Sequence, residues 1–115
     1  MRKIYYLSTC STCNRIIKEL NLDSSFEFQD IKANKITAEQ IEQMHKMSGS
    51  YESLFSKRAM KYKSMKLKEK SLSENDIKNL ILEEYTFLKR PVIIINDKIF
   101  IGNSKKIVEA VANEL

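Results

Sequence analysis

Cys10 and Cys13 stand three residues apart in the stretch "YLSTCSTCNRIIKEL", and the chain holds no other cysteine. The thiolate, not the thiol, is the reactive form of this side chain. A pair at this spacing can be a redox couple, half of a metal site, or two small residues without chemistry. Zinc normally takes four ligands, and with His45 the sole histidine the chain has few donors to complete such a set. The redox reading needs only the local frame. A helix starting at the motif brings unpaired N–H groups and its positive dipole end to Cys10, which lowers the thiol pKa. Cys13 then lies one turn further on the same side, where it can attack a mixed disulfide formed at Cys10.

The elements needed to build that frame are legible on both sides of the motif. Lys3 to Leu7 ("KIYYL") is a short β-rich run, and beyond the small polar residues Ser8 to Thr12 a helical pattern places Ile16, Ile17 and Leu20 on one face. Phe26 to Ile31 ("FEFQDI") alternates apolar and polar, the period of a strand. This β-α-β order predicts parallel strands joined by a right-handed crossover, with Cys10 at the strand-to-helix turn.

The middle of the chain reads as helical. Thr37 and Gln40 have the spacing of a capping box, and Ile41, Met44 and Met47 form an apolar stripe with His45 beside it, up to the "SGS" interruption at Ser48 to Ser50. Tyr51 to Met65 reads as a second, shorter helical piece. Ser73 is an N-cap for a further helix in which Ile77, Leu80, Ile81 and Tyr85 recur at helical spacing. The four methionines Met44, Met47, Met60 and Met65 suit core filling.

The pattern then changes at the only proline, Pro91. Val92 to Ile95 is a continuous β-branched run, Asn96 and Asp97 form a turn, and "KIFIG" returns to Gly102, a β-hairpin. Asn103 or Ser104 can cap a last helix with Ile107, Val108, Val111 and Leu115 on its buried face. The expected architecture is therefore α/β: β-α-β and then β-β-α around a central mixed four-stranded sheet, with a helical insertion at about residues 37–86. No linker, low-complexity tract or repeat divides it, so residues 1–115 read as a single domain.

Composition narrows the class. With 43% apolar and 30% charged residues the chain reads as globular, and no apolar run approaches the roughly 20 residues that span a bilayer. The first residues lack the apolar core of a signal peptide, so a cytoplasmic location is expected. Thiols are kept reduced there, which favours redox catalysis or sensing over a structural disulfide. The net charge of +5 concentrates between Lys57 and Lys70, where Lys57, Arg58, Lys61, Lys63, Lys66, Lys68 and Lys70 face the single acid Glu69. Such a run can be a solvated face or can steer an anionic partner. Tyr62 is nearly the only aromatic within it and no DNA-binding motif accompanies it, so direct nucleic-acid binding is not expected.

The stretches "YLSTCSTCNRIIKEL", "LFSKRAMKYKSM" (Leu54 to Met65) and "LKRPVIIINDKIFIG" (Leu88 to Gly102) together resemble the family of glutaredoxin-coupled arsenate reductases and Spx-type regulators, over essentially the whole chain. The Arg90-Pro91 pair ahead of the hairpin is the most specific element of the likeness. The resemblance implies a thioredoxin-like fold with a helical insertion, a nucleophile at Cys10, an arginine at Arg90 facing it, and a cis peptide before Pro91. Arg58 falls where a second arginine of related proteins lies, and Arg15 is a further candidate beside the motif. Guanidinium groups bind tetrahedral oxyanions bidentately and offset their charge. Arsenate reductases of this type use another arginine in the hairpin region, where this chain has Lys98, Lys105 and Lys106. They also carry serine where Cys13 stands, and the CxxC form is closer to Spx.

Two functions follow from the resemblance. The first is a thiol-dependent oxidoreductase acting on arsenate or on a related thiol or disulfide. In it Cys10, Cys13 and Arg90 are catalytic, while Arg58, Arg15 and Pro91 contact substrate. It binds no cofactor or metal, and glutathione with glutaredoxin, or thioredoxin, supplies the reductant. The second is a redox-sensing regulator that contacts RNA polymerase and switches through a Cys10-Cys13 disulfide. Gly49 and Gly102 are the only glycines and Ala59 follows Arg58, so the polymerase-contacting glycine of Spx-type proteins has no counterpart beside Arg58.

Overall fold

The computed structural model describes residues 1–115 and divides them into two compact units, one of Met1–Lys35 with Arg90–Leu115 and one of Ile36–Lys89. No helix is long and apolar enough to cross a membrane.

The first unit holds the sheet. Strand β1 (Arg2–Tyr6) leads to helix α1 (Ser11–Glu19) and strand β2 (Glu27–Asp30); after the second unit come β3 (Val92–Ile95), β4 (Lys98–Ile101) and helix α5 (Lys105–Glu114). The order across the sheet is β2-β1-β3-β4, with β1 parallel to β2 and antiparallel to β3, and β3 antiparallel to β4. This is the mixed four-stranded sheet expected from the element order.

Residue type explains each strand's place. All four residues of β3 are buried, as befits an inner strand of β-branched residues covered on both faces. Ile93 and Ile95 point into a core cluster with Ile4, Phe26 and Val111, against which Tyr6, Ile17, Leu20, Leu22 and Phe100 pack. β2 is an edge strand, and its alternation is not that of a simple half-buried strand. Phe28 is 39% exposed and meets Tyr6 edge to ring, whereas Gln29 is buried and its amide donates to the Asn34 carbonyl (2.9 Å). The hairpin turns at Asn96, whose φ of 55° lies in the left-handed region that asparagine tolerates. Asn96 also receives the N-terminal ammonium of Met1 on its Oδ1 at 3.0 Å, which ties β1 to the hairpin tip.

Ser104, not Asn103, caps α5 by accepting from the Ile107 amide (3.2 Å). Val111 is fully buried, Ile107 and Val108 are half-buried, and Leu115 is 46% exposed because the helix ends at Glu114. Leu115 therefore lies outside the buried face that spacing alone assigns to it.

The second unit is helical: α2 (Ala38–Ser48), α3 (Met60–Ser64) and α4 (Glu74–Glu83), with 3-10 turns at Glu52–Leu54, Leu67–Glu69 and Tyr85–Phe87. Thr37 forms the expected capping box with Gln40, the expected N-cap Ser73 forms a box with Asp76 as well, and Gly49 ends α2 with φ 91°. Ile41, Met44, Ile77 and Ile81 are buried on the inner faces of α2 and α4. The expected helix over Tyr51 to Met65 is broken. Phe55 leaves helical geometry to bridge antiparallel to Leu88, and the Ser56 amide donates to the Phe87 carbonyl (2.7 Å). Tyr85 likewise lies beyond α4, in the 3-10 turn that carries Phe87 into the core.

Candidate active site

The turn from β1 to α1 builds the site. The Cys10 amide donates to the Leu7 carbonyl at 2.9 Å, closing a tight turn over Ser8 and Thr9, and Cys10 becomes the N-cap of α1 with extended backbone (φ −90°, ψ 111°). No side-chain cap of the serine or aspartate kind forms at Cys10; the Thr12 and Cys13 amides, at N2 and N3, instead act on its sulfur. The first turn of α1 contains no acidic residue, so no carboxylate there opposes a thiolate at the helix start.

The two thiols are unequal. Both are free; Cys10 is half-buried and Cys13 is fully buried. Burial pushes the Cys10 thiol up, but hydrogen bonds from the Cys13 amide, the Cys13 thiol and the Thr12 amide, with the positive field of Arg90, outweigh it and hold Cys10 below its ordinary value. Burial instead dominates at Cys13 and raises its pKa to about 11, reinforced by the adjacent Cys10. The pair thus loses its first proton from the accessible sulfur, and the inner sulfur stays a thiol that donates to it.

Arg90 supplies the cation. It opens the hairpin, the Arg90–Pro91 peptide is cis, and its charge acts on both thiols although 80 residues separate it from Cys10. Its Nε is buried without a hydrogen-bond acceptor, while the guanidinium is engaged electrostatically. β1 and β3 are hydrogen-bonded neighbours, so the ends of these two strands bring Cys10 and Arg90 together.

The other sequence candidates lie elsewhere on their elements. Arg15 is on the exposed face of α1 and pairs with Glu19 (3.4 Å). Arg58 is exposed in the turn before α3, within the second unit. In the basic run, Lys57 pairs with Glu52 (3.7 Å) and Lys61 with Glu84 (2.8 Å). Lys63, Lys66, Lys68 and Lys70 are exposed.

One group of residues around the motif has no counterpart among the sequence candidates. Ser8 Oγ donates to Asp30 Oδ2 at 2.5 Å, and the Ser8 amide approaches Asp30 Oδ1 at 3.4 Å. Asn14 Nδ2 donates to the Ser8 carbonyl at 2.9 Å. The only sequence hint is the small polar character of Ser8 to Thr12 and Asn14. That Asp30 reaches Ser8 follows from the parallel pairing of β1 with β2, in which Tyr6 stands opposite Asp30.

The model of the ArsC family matches residues 5–111. Among solved structures, a possible arsenate reductase from Streptococcus mutans superposes with a TM-score of 0.74 at 27% identity, over 96% of this chain and 97% of that one. A Staphylococcus aureus protein superposes with a TM-score of 0.74 at 25% identity, over the same shares of the two chains. Arsenate reductase from Vibrio cholerae has a TM-score of 0.75 at 19% identity over 99% and 97%, a likeness of fold. No curated protein sequence matches.

Proposed function

Because the chain belongs to the ArsC family, a family of thiol-dependent oxidoreductases, we propose that Cys10 is the nucleophile of an arsenate reductase or of a related thiol-dependent reduction. One observation carries this reading: a half-buried cysteine at a helix N-cap, held below its ordinary pKa by two backbone amides, a thiol donor and Arg90. These are the conditions under which a thiol becomes a nucleophile near neutral pH.

The chemistry follows from the groups in place. The Cys10 thiolate attacks the arsenic of arsenate and forms a sulfur–arsenic bond, and one arsenate oxygen leaves as water after taking up protons. Arg90 offsets the anionic charge that would otherwise repel the thiolate. A second thiol then attacks the Cys10 sulfur. A disulfide forms, the sulfur–arsenic bond breaks, and its electron pair stays on arsenic, which goes from the pentavalent to the trivalent state. Each of the two thiols gives up one electron to that reduction. Glutathione can reach the half-buried Cys10 from solvent, and Cys13 can reach it from within the helix. Glutaredoxin or thioredoxin would return the disulfide to thiols.

Arsenate-dependent NADPH oxidation tests this, run with glutathione and glutaredoxin and separately with thioredoxin. Turnover that disappears in Cys10→Ser supports it, whereas full activity in Cys10→Ser overturns it. The contact between the two thiols favours a second reading, a redox-sensing regulator with a Cys10-Cys13 disulfide that binds RNA polymerase. A pull-down that recovers no polymerase with either the dithiol or the disulfide form would exclude it.

A further inference from the structure

We propose that Asp30, Ser8 and Asn14 form a positioning frame that sets the reactivity of Cys10 by fixing where the β1–α1 turn enters the helix. The proposal rests on Cys10 being the nucleophile. None of the three residues needs to touch substrate.

The thiol's reactivity depends on backbone, because the donors to its sulfur include main-chain amides at N2 and N3 of α1. Two amides, those of Thr12 and Cys13, must point at its sulfur. Whether they do depends on the backbone angles at Cys10, and those depend on the path of the four-residue turn before it. The frame grips that turn from two sides. From β2, the Asp30 carboxylate takes the Ser8 hydroxyl at 2.5 Å, and the Lys32 amide holds the same carboxylate through Oδ1 at 3.2 Å. From α1, Asn14 donates its side-chain amide to the Ser8 carbonyl and its backbone amide to the Cys10 carbonyl (3.1 Å). Asn14 thus measures the distance between the turn and the first helical hydrogen bond.

The frame lies at the surface: Ser8 and Asn14 are exposed and Asp30 half-buried. Exposed hydrogen bonds contribute little to global stability, since water replaces them on unfolding. Their geometric consequence is local: the turn they hold leads directly into Cys10, whose amide closes it on the Leu7 carbonyl. The charged and titratable groups acting on Cys10 are Cys13 and Arg90. Asp30 is not among them; a carboxylate's charge could only disfavour a thiolate, whereas its grip on the turn favours one. That opposition makes the proposal separable from simple electrostatics.

The experiment is the rate of iodoacetamide alkylation of Cys10 against pH, with the modified cysteine located by peptide mass. Asn14→Ala is expected to move the midpoint to higher pH and to slow alkylation at pH 7 by about two- to tenfold, the equivalent of one hydrogen bond. Asp30→Ala should move it the same way, and Ser8→Ala, which removes only the hydroxyl, should repeat the effect. Asp30→Asn keeps a hydrogen-bonding partner for Ser8 without the charge and should restore wild-type behaviour or better. Lys18→Ala, on the same helix, should change nothing. Asn14→Ala and Ser8→Ala profiles that overlay the wild type would overturn the frame, as would equal downward shifts in Asp30→Ala and Asp30→Asn. If wild-type Cys10 itself alkylates no faster than an ordinary thiol, the nucleophile assignment fails, and the frame with it; fast wild-type alkylation with unaltered variants removes the frame alone.

Discussion

The Cys10 and Cys13 thiols are hydrogen-bonded across the first turn of α1, the outer one half-buried and the inner one sealed from solvent. This contact divides the labour of the pair. Cys10→Ser is expected to abolish both alkylation at neutral pH and turnover. Cys13→Ser keeps a hydrogen-bond donor beside Cys10, so alkylation of Cys10 should persist while the internal disulfide can no longer form. Peptide mass after mild oxidation checks both.

Arg90 stabilises negative charge at the thiols from the start of the hairpin. Arg90→Ala should lower kcat/KM for arsenate by about 10²-fold or more, the loss typical of a charge-stabilising donor. It should also shift the Cys10 alkylation profile to higher pH. Arg90→Lys should recover part of the second effect and less of the first, because an ammonium lacks the bidentate fork.

Stability against pH should carry the signature of three groups. Cys10 has a folded pKa below its ordinary 9.0, so between those two values the unfolded chain binds more protons and stability rises with pH. Cys13, raised by burial from 9.0 to about 11, acts oppositely: its contribution is complete below pH 9 and is lost as pH climbs through 11. Tyr5, raised by burial and by the Glu27 carboxylate from 10.0 to about 12, extends the loss. Urea titrations from pH 6 to 11 should show a rise, then a fall. Tyr5→Phe should flatten the fall above pH 10.

Ile93 is 2% exposed in the central strand and belongs to the core cluster of the sheet. Ile93→Ala should cost about 2–5 kcal/mol by urea denaturation. Ser73→Ala removes the hydroxyl that accepts from the Asp76 amide at 3.0 Å and should cost about 1 kcal/mol. The first would be a large share of the total stability of a 115-residue chain.

Much of the fold was legible because its signals are local. The capping box at Thr37, the N-cap at Ser73, the helix interruption at Ser48 to Ser50 and the Val92 to Ile101 hairpin each depend on residues within a few positions of one another, and each forms as expected. The break between Leu54 and Met60 was not legible. Phe55 has a partner, Leu88, that lies 33 residues on, and that pairing overrides the helical spacing of the intervening residues. Leu115 has the right spacing for a buried face but stands past the last helical residue.

The candidate site divides along the same line. The sequence by itself determined that a paired cysteine would sit where a strand meets a helix, because the apolar period changes from strand to helix on either side of Cys10 and Cys13. That Arg90 would face them was implied by the family resemblance and not by period or spacing. Only the tertiary structure decided that Cys10 is the accessible thiol and Cys13 the sealed one, that Arg90 acts on both while Arg15 turns to Glu19, and that Asp30 and Asn14 hold the turn between. The reason is physical. Element type follows from side-chain period and backbone preference over a few residues, whereas burial and electrostatic field are set by whatever the pairing of distant strands places alongside.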